Sequence, residues 1–242
     1  MIHTGLEMQP RLQEGVTYYT YDRHNGDFHA SNIQIGNGEI HFDFISPLGN
    51  INNITLGVPI SINIDNGIAA MAIAQLAGAT SEEIRQGMAS FRGVDRRFDF
   101  HIKETNRAFI CDYAHHPTEI KQSALSIREL YKDKHLTAIF QPHLFTRTRD
   151  FYQEFAEALS LFDDVILTDI YPAREEPIPG INSQLIADNL ESGVTHTLCK
   201  KEDVIEIIKD RKNDIEILVL LGAGDLESHA SAITNILKEQ TI

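Results

Sequence analysis

The sequence is short of cysteine, of positive charge and of long apolar runs, and each shortage narrows what the chain can be. Its two cysteines, Cys111 and Cys199, are too few for a disulfide framework and stand in no CxxC spacing, which fits a reducing compartment. Lys and Arg number 21 against 35 Asp and Glu, a net charge of -14 over 242 residues, which argues against tight binding of nucleic acid by the whole surface. An anionic ligand would need a local basic patch. No stretch approaches the roughly 18 apolar residues of a membrane span. The start, Met1-Ile-His-Thr-Gly-Leu-Glu-Met, lacks the basic and apolar segments of a signal peptide. The cytoplasm is the expected compartment, with neither nucleic acid nor a membrane as an expected partner. There is no internal repeat or low-complexity segment. What remains, at 42% hydrophobic and 23% charged residues, is a globular chain with room for one large or two modest cores.

Two halves differ in period. From Val16 to about Leu56 apolar residues alternate between turn residues, which predicts an antiparallel meander. Ile33 and Ile35 lead into Gly36-Asn37-Gly38, and Ile40, Phe42 and Phe44 follow with period two, as in a hairpin with one buried face. Asn25-Gly26 marks an earlier turn. After Pro59 the period becomes helical: Ala69, Ala72, Ile73 and Leu76 line one predicted apolar face, ended by Gly78. Thr80 and Glu83 have capping-box spacing for a second helix through about Phe91.

Beyond Arg97 short β-rich runs (Ala108 to Asp112, Leu136 to Phe140, Val165 to Asp169, Thr195 to Cys199, Ile215 to Leu221) alternate with amphipathic helices. One helix face carries Phe151, Phe155, Ala158, Leu159 and Phe162, another Leu226, Ala230, Ile233 and Leu237. The alternation predicts an α/β fold with a mostly parallel sheet covered on both faces, and a domain boundary between Gly93 and Arg97. Ligands of such sheets bind at the carboxyl ends of the strands.

Those ends carry the chemistry. The first run is followed by Asp112-Tyr113-Ala114-His115-His116-Pro117, with Pro117 suited to a first helical position. The second is followed by Gln141-Pro142-His143-Leu144-Phe145-Thr146-Arg147-Thr148-Arg149, an imidazole and two guanidiniums suited to carboxylate or phosphate oxygens. The third ends in Asp169-Ile170-Tyr171-Pro172-Ala173-Arg174-Glu175. The fifth ends in Gly222-Ala223-Gly224-Asp225, where the glycines serve either a close ligand approach or a tight turn. A third glycine is missing, so a dinucleotide fingerprint is not supported. Singly, each group also has a plain reading: a histidine or asparagine (Asn63, Asn66) as a helix cap, an arginine as a solvated side chain. Their convergence on one sheet edge points to a small anionic or zwitterionic ligand there.

Asp112-Tyr-Ala-His-His-Pro-Thr-Glu119 and Phe140-Gln-Pro-His-Leu-Phe-Thr-Arg-Thr-Arg149 resemble the Mur ligases. So do Gly93-Val-Asp-Arg-Arg-Phe98, Asp169 to Glu175 and Leu221 to Asp225, in family order along nearly the whole chain. The resemblance is strongest to members that join L-alanine to UDP-N-acetylmuramate. It implies that residues 1-94 are the α+β remainder of the family's central ATPase domain, and that 95-242 are its Rossmann-like C-terminal domain. The sequence contains neither the family's UDP-binding domain nor a Gly-x-x-Gly-Lys-Thr-like phosphate loop, so this chain alone is expected to be inactive.

The implied reaction uses ATP and Mg²⁺: the muramate carboxylate becomes an acyl phosphate, which the amine of L-alanine attacks. Water must be excluded, which a hinge near Gly93 would achieve by closing one domain over the other. The resemblance implies ATP contacts for Asn63 and Asn66 (adenine), Arg97 (phosphate) and Asp112 (ribose). The residue before Asn63, usually His in the family, is Ile62 here. It implies L-alanine contacts for Tyr113, His115, His143 and Arg147, with Leu144 where some relatives have Arg. His115 has the ring chemistry to take the proton of the incoming amine. Alternatives are a tripeptide-recycling muramate ligase, a stand-alone amino-acid-binding module, and a zinc hydrolase using His115, His116 and His143, whose spacing fits no established metal motif.

Overall fold

The computed structural model describes residues 1–6 and 10–239, and the chain divides into two compact units, Met1–Gly93 and Val94–Ile242. The division falls at Gly93, whose φ of +81° is open to glycine without strain.

The first unit opens with a short parallel ribbon of β1 (Ile2–His3) and β2 (Thr20–Tyr21), followed by an antiparallel sheet of β3 (His29–Gly36), β4 (Glu39–Ile45) and β5 (Ile51–Thr55). The antiparallel meander therefore begins at His29 rather than Val16, which is exposed. Asn37 and Gly38 turn the β3–β4 hairpin at φ +53° and +77°, and Ile40, Phe42 and Phe44 are buried as the alternation predicts. Both ladders slip by a bulge, with Asn32 (φ +51°) and Asn53 (φ +57°) at the irregularities. Asp43 holds the two together, accepting from Asn32 Nδ2 at 2.7 Å and from the Asn53 amide at 2.8 Å. Those hydrogen bonds, Asn32's first, hold its carboxyl below the usual carboxylate range.

Two helices follow, α1 (Ile62–Leu76) and α2 (Ser81–Ser90). Helix α2 begins with the expected capping box: the Glu83 amide donates to Thr80 Oγ1 and the Thr80 amide to Glu83 Oε2. For α1 the expected face is corrected. Its buried stripe is Ile64, Ile68, Met71 and Ala72, whereas Ile73 is 60% and Leu76 44% exposed. The helix is apolar on both sides, so periodicity alone does not choose the inner one.

The second unit is a six-stranded sheet in the order β10-β9-β8-β11-β7-β6. The strands are β6 (Asp99–Lys103), β7 (Ala108–Asp112), β8 (Leu136–Phe140), β9 (Asp164–Leu167), β10 (Thr195–Leu198) and β11 (Ile217–Leu221). All neighbours are parallel except β6 and β7. Edge strand β6 is an addition to the five expected runs, and β9 stops at Leu167, short of the expected Asp169. Helices α3 (Pro117–Leu130), α4 (Phe145–Leu159) and short α5 (Gln184–Ala187) pack side by side. Helices α6 (Val204–Arg211) and α7 (Ala230–Lys238) share a separate core with the sheet. In it Phe109, Ile139, Ile166 and Leu218 meet Val204, Ile208, Leu226, Ala230, Ile233 and Leu237. Burial of such side chains contributes about 1.5–3 kcal/mol each and fixes the strand register.

That register positions the site. Asp112 of β7 lies opposite Leu221 of β11, Leu221 opposite Phe140 of β8, and Phe140 opposite Leu167 of β9. Four neighbouring strands thus end level, and their following loops emerge on one edge.

Candidate functional site

On that edge the structure brings together Tyr113, His115, His143 and Arg147, and adds Tyr171 and Glu175. Tyr113 is held through its amide, which donates to the Arg96 carbonyl at 2.6 Å, while the Arg96 guanidinium lies 4.8 Å from the centre of its ring. Arg96 is itself ion-paired to Glu227. The His115 ring meets the Tyr113 ring edge-on at 5.2 Å and stands 6.2 Å from His143.

The tautomer of His115 follows from its partner. Its Nδ1 is 2.8 Å from the Tyr113 carbonyl, which can only accept, so Nδ1 carries the hydrogen and Nε2 the lone pair. Glu119 accepts from the His115 amide at 2.9 Å, and its carboxylate lies 3.4 Å from Nδ1. His116 is spent differently. It is the N-cap of α3, its Nδ1 accepting from the Thr118 amide and its own amide donating to Glu119. Its ring packs on Phe151 at 5.2 Å.

His143 stacks on Tyr171 with ring centres 5.5 Å apart, and its buried Nδ1 has no hydrogen-bond partner. Burial first, then the positive charge of Arg147, holds the imidazole below its ordinary value. Arg147 sits in the first turn of α4, half-buried, its guanidinium 3.5 Å from the His115 carbonyl. Arg149 is exposed and paired with Asp150.

Of the residues expected at ATP, Arg97 is exposed, and Asp112 is turned to the backbone, accepting from the Phe98 amide at 3.4 Å. Burial pushes its carboxyl up. Asn63 and Asn66 lie in the first unit, Arg97 and Asp112 in the second. Asn63 donates to the Val58 carbonyl, and Asn66 donates to Asn63. Both line an apolar hollow of about 460 Å³ between α1 and α2. Asn66 also borders a second hollow of about 480 Å³ with His3, Tyr21, Asp22 and Arg23.

Gly222 is explained by a left-handed φ of +137° together with close packing, and Gly224 by packing. A Cβ on Gly222 would stand 3.0 Å from the Gln141 carbonyl, and one on Gly224 would overlap Gln141 Oε1. Gln141 in turn receives the Leu226 amide and donates to Asp225.

Sequence reading gave no role to Arg96, Tyr171 or Glu175. The segment from Asp169 to Glu175 was visible as a polar strand end, but its pairing with the loop after β8 is a long-range contact that carries no local signal.

Residues 96–227 match the family described as Mur ligase, glutamate ligase domain. The chain belongs to the Mur ligase family. It is 61% identical over 240 residues to the UDP-N-acetylmuramate--L-alanine ligase of Phocaeicola vulgatus, covering 99% of this chain and 52% of that protein. It is 49% identical over 241 residues to the ligase of the same name from Parabacteroides distasonis, again 99% and 52%. The crystal structure of UDP-N-acetylmuramate-alanine ligase MurC from Thermotoga maritima matches with a TM-score of 0.68 at 26% identity, over 90% of this chain and 47% of that one. The chain thus spans about half the length of the curated Mur ligases it matches. Their shared fold is the α/β arrangement with a mostly parallel sheet described above.

Proposed function

We propose that this chain is part of an ATP-dependent ligase that adds L-alanine to UDP-N-acetylmuramate in peptidoglycan precursor synthesis, and that the edge formed by Tyr113, His115, His143 and Arg147 receives the alanine. The observation that carries the reading is the meeting, at level strand ends, of the Arg147 guanidinium and the His115 imidazole, whose Nδ1 is held by the Tyr113 carbonyl and whose Nε2 is thereby left to accept a proton. An amino acid needs one group for its carboxylate and one for its ammonium proton. Arg147 supplies the first and His115 Nε2 the second. The 61% identity to an alanine ligase supports the choice of substrate.

In the proposed reaction the muramate carboxylate attacks the γ-phosphorus of ATP, giving an acyl phosphate and ADP. The alanine amine, its proton passed to His115 Nε2, attacks the acyl carbon, and phosphate leaves as the amide forms. The Tyr113 carbonyl lies 2.8 Å and Glu119 Oε2 3.4 Å from His115 Nδ1, so that nitrogen is occupied and Nε2 is the one left to take the proton. Arg97, exposed at the start of the second unit, would take a phosphate oxygen, Asp112 the ribose, and Asn63 and Asn66 the adenine. Among the described residues no three His, Cys, Asp or Glu side chains come together, and no residue of this chain is assigned to the Mg²⁺ that the reaction would use beside the ATP phosphates.

We assign residues 1–94 to the remainder of the central ATPase domain and 95–242 to the C-terminal domain, with Gly93 as the hinge between them. The second apolar face of α1, with Ile62, Ile73 and Leu76 exposed, supports a first unit that is completed by further chain. Among the described residues no helix is long and apolar enough to cross a membrane; from the likeness to alanine ligases we assign the chain to the cytoplasm.

The test is ADP release by the complete ligase with L-alanine, serine, glycine or a tripeptide as acceptor. Turnover with L-alanine that drops about 100- to 10,000-fold in His115→Ala, with the KM for ATP unchanged, is expected. Turnover with the tripeptide alone would refute the alanine reading, and full activity of His115→Ala would refute the proton-transfer role.

A further inference from the structure

Helix α4 carries Arg147 at its third residue, yet it starts without a cap of its own. Its N-cap residue is Leu144, a side chain with nothing to accept a hydrogen bond, in a backbone conformation (φ +74°) that a leucine adopts only under constraint. The constraint comes from the loop after β9. The Leu144 amide donates to the Tyr171 carbonyl at 2.9 Å, and the Tyr171 amide donates to the Pro142 carbonyl at 2.8 Å. Two residues on, the chain turns at Ala173 (φ +52°), and the Glu175 amide donates back to the Pro172 carbonyl. This turn delivers the Glu175 carboxylate to the first turn of α4. There it accepts from the Thr146 amide at 2.9 Å and from Thr146 Oγ1 at 2.5 Å.

We propose that Glu175 is a positioning residue for the amino-acid subsite: it caps α4 from the neighbouring strand's loop and so fixes Arg147 and His143, which flank Thr146, against the incoming amino acid. The proposal rests on the alanine-ligase reading above. The covalent order of the segment makes the coupling direct. His143 lies three residues before Thr146 and stacks on Tyr171, while Arg147 is its immediate successor. A negative charge at a helix N-terminus is also favourable in its own right. Neither Arg147 nor His143 has an acidic partner of its own among the described hydrogen bonds and ion pairs; Arg147 has a 3.5 Å contact to the His115 carbonyl and His143 the stack on Tyr171, and both contacts depend on where the α4 entry places them. Without the carboxylate the first turn frays, Arg147 loses its aim, and a misplacement of about 1 Å at such a group costs up to about 100-fold.

The experiment is steady-state kinetics on the complete ligase with Glu175→Ala, Glu175→Gln and Thr146→Val. Glu175→Ala is expected to raise the KM for L-alanine about tenfold while the KM for ATP stays within about twofold. Glu175→Gln, which keeps one oxygen for the Thr146 amide, is expected to recover part of that loss. Thr146→Val, which removes only the hydroxyl half of the contact, is expected to raise the same KM about threefold, and to add nothing on top of Glu175→Ala. An alanine KM unchanged in Glu175→Ala, or alanine and ATP constants rising together, overturns the assignment of Glu175 alone. Should Glu175→Ala fail to fold, an unchanged alanine KM in Thr146→Val overturns it equally. Absence of alanine-dependent ADP release in the wild type overturns the underlying reading instead.

Discussion

Replacing Gly224 with alanine tests whether the glycines after β11 serve packing or ligand approach. Gly224 does not sit at a left-handed φ, so the cost of a side chain there is steric. The new Cβ would overlap Gln141 Oε1 and stand 2.9 Å from Gln141 Cδ and 3.1 Å from Tyr171 Cβ. Gln141 is only 3% exposed and has nowhere to retreat. Moving its amide breaks the bonds from the Leu226 amide and to Asp225, each 3.2 Å, and leaves the buried Leu226 N–H unsatisfied. An unsatisfied buried donor costs about 1–3 kcal/mol and overpacking about 1–3 kcal/mol, so Gly224→Ala is expected to destabilise the second unit by about 2–6 kcal/mol. At about 2–4 °C per kcal/mol this is a drop in Tm of roughly 4–24 °C, followed by circular dichroism. The decisive control is Gln141→Ala, which removes the colliding group. In that background Gly224→Ala should cost less than about 1 kcal/mol, a coupling expected of residues in contact. A Tm unchanged by Gly224→Ala, with a raised KM for ATP, would show that the glycine is kept clear for a phosphate and would refute the packing argument.

Arg147→Lys keeps the charge but loses the planar fork, and in the complete ligase it should raise the KM for L-alanine about tenfold or more. An unchanged value would remove Arg147 from the carboxylate. His143 titrates below its ordinary value, so between that lowered value and about 6.5 the unfolded chain binds the proton and the folded chain does not. Stability should therefore rise with pH through this window. The rise should flatten in His143→Asn, as read from Tm against pH. Burial pushes the Cys111 thiol up to about 12 and the Cys199 thiol up to about 11. Neither should react with a disulfide reagent at pH 8 until the chain is denatured, and fast labelling of the native protein would contradict this.

What could be read from the sequence divides by the range of the contacts. The hairpin at Gly36-Asn37-Gly38, the capping box of Thr80 and Glu83, and the apolar stripe from Leu226 to Leu237 are set by neighbours within a few positions, and the structure has them as expected. Helix α1 defeats the same reasoning because both its faces are apolar. Strand β6 escaped notice because it is a partly exposed edge that mixes charged and apolar residues. The strand-end histidines and arginine could be singled out because parallel α/β sheets gather their loop residues on one edge. Gln141 against Gly224 and Glu175 against Thr146 join residues 83 and 29 positions apart, as their numbers show, and only the sheet order brings them together.

The adjacent pair His115-His116 shows how one segment serves two purposes. The same α3 entry that uses His116 as an N-cap forces the two rings apart: His116 goes to Phe151, and His115 turns to Tyr113 and His143. Both amides converge on Glu119, which therefore stabilises the helix start and stands beside the His115 ring at once. A metal shared by the two histidines would require this cap to open. His116→Asn should accordingly be mild, since asparagine is a good N-cap: stability within about 0.5 kcal/mol and alanine-dependent turnover within about twofold of the wild type. His115→Asn should retain the fold and lose turnover, because its short amide offers no basic nitrogen at the place of Nε2. Equal losses of activity from the two substitutions, measured side by side at matched Tm, would show that the rings act as a pair and would overturn the separation of roles.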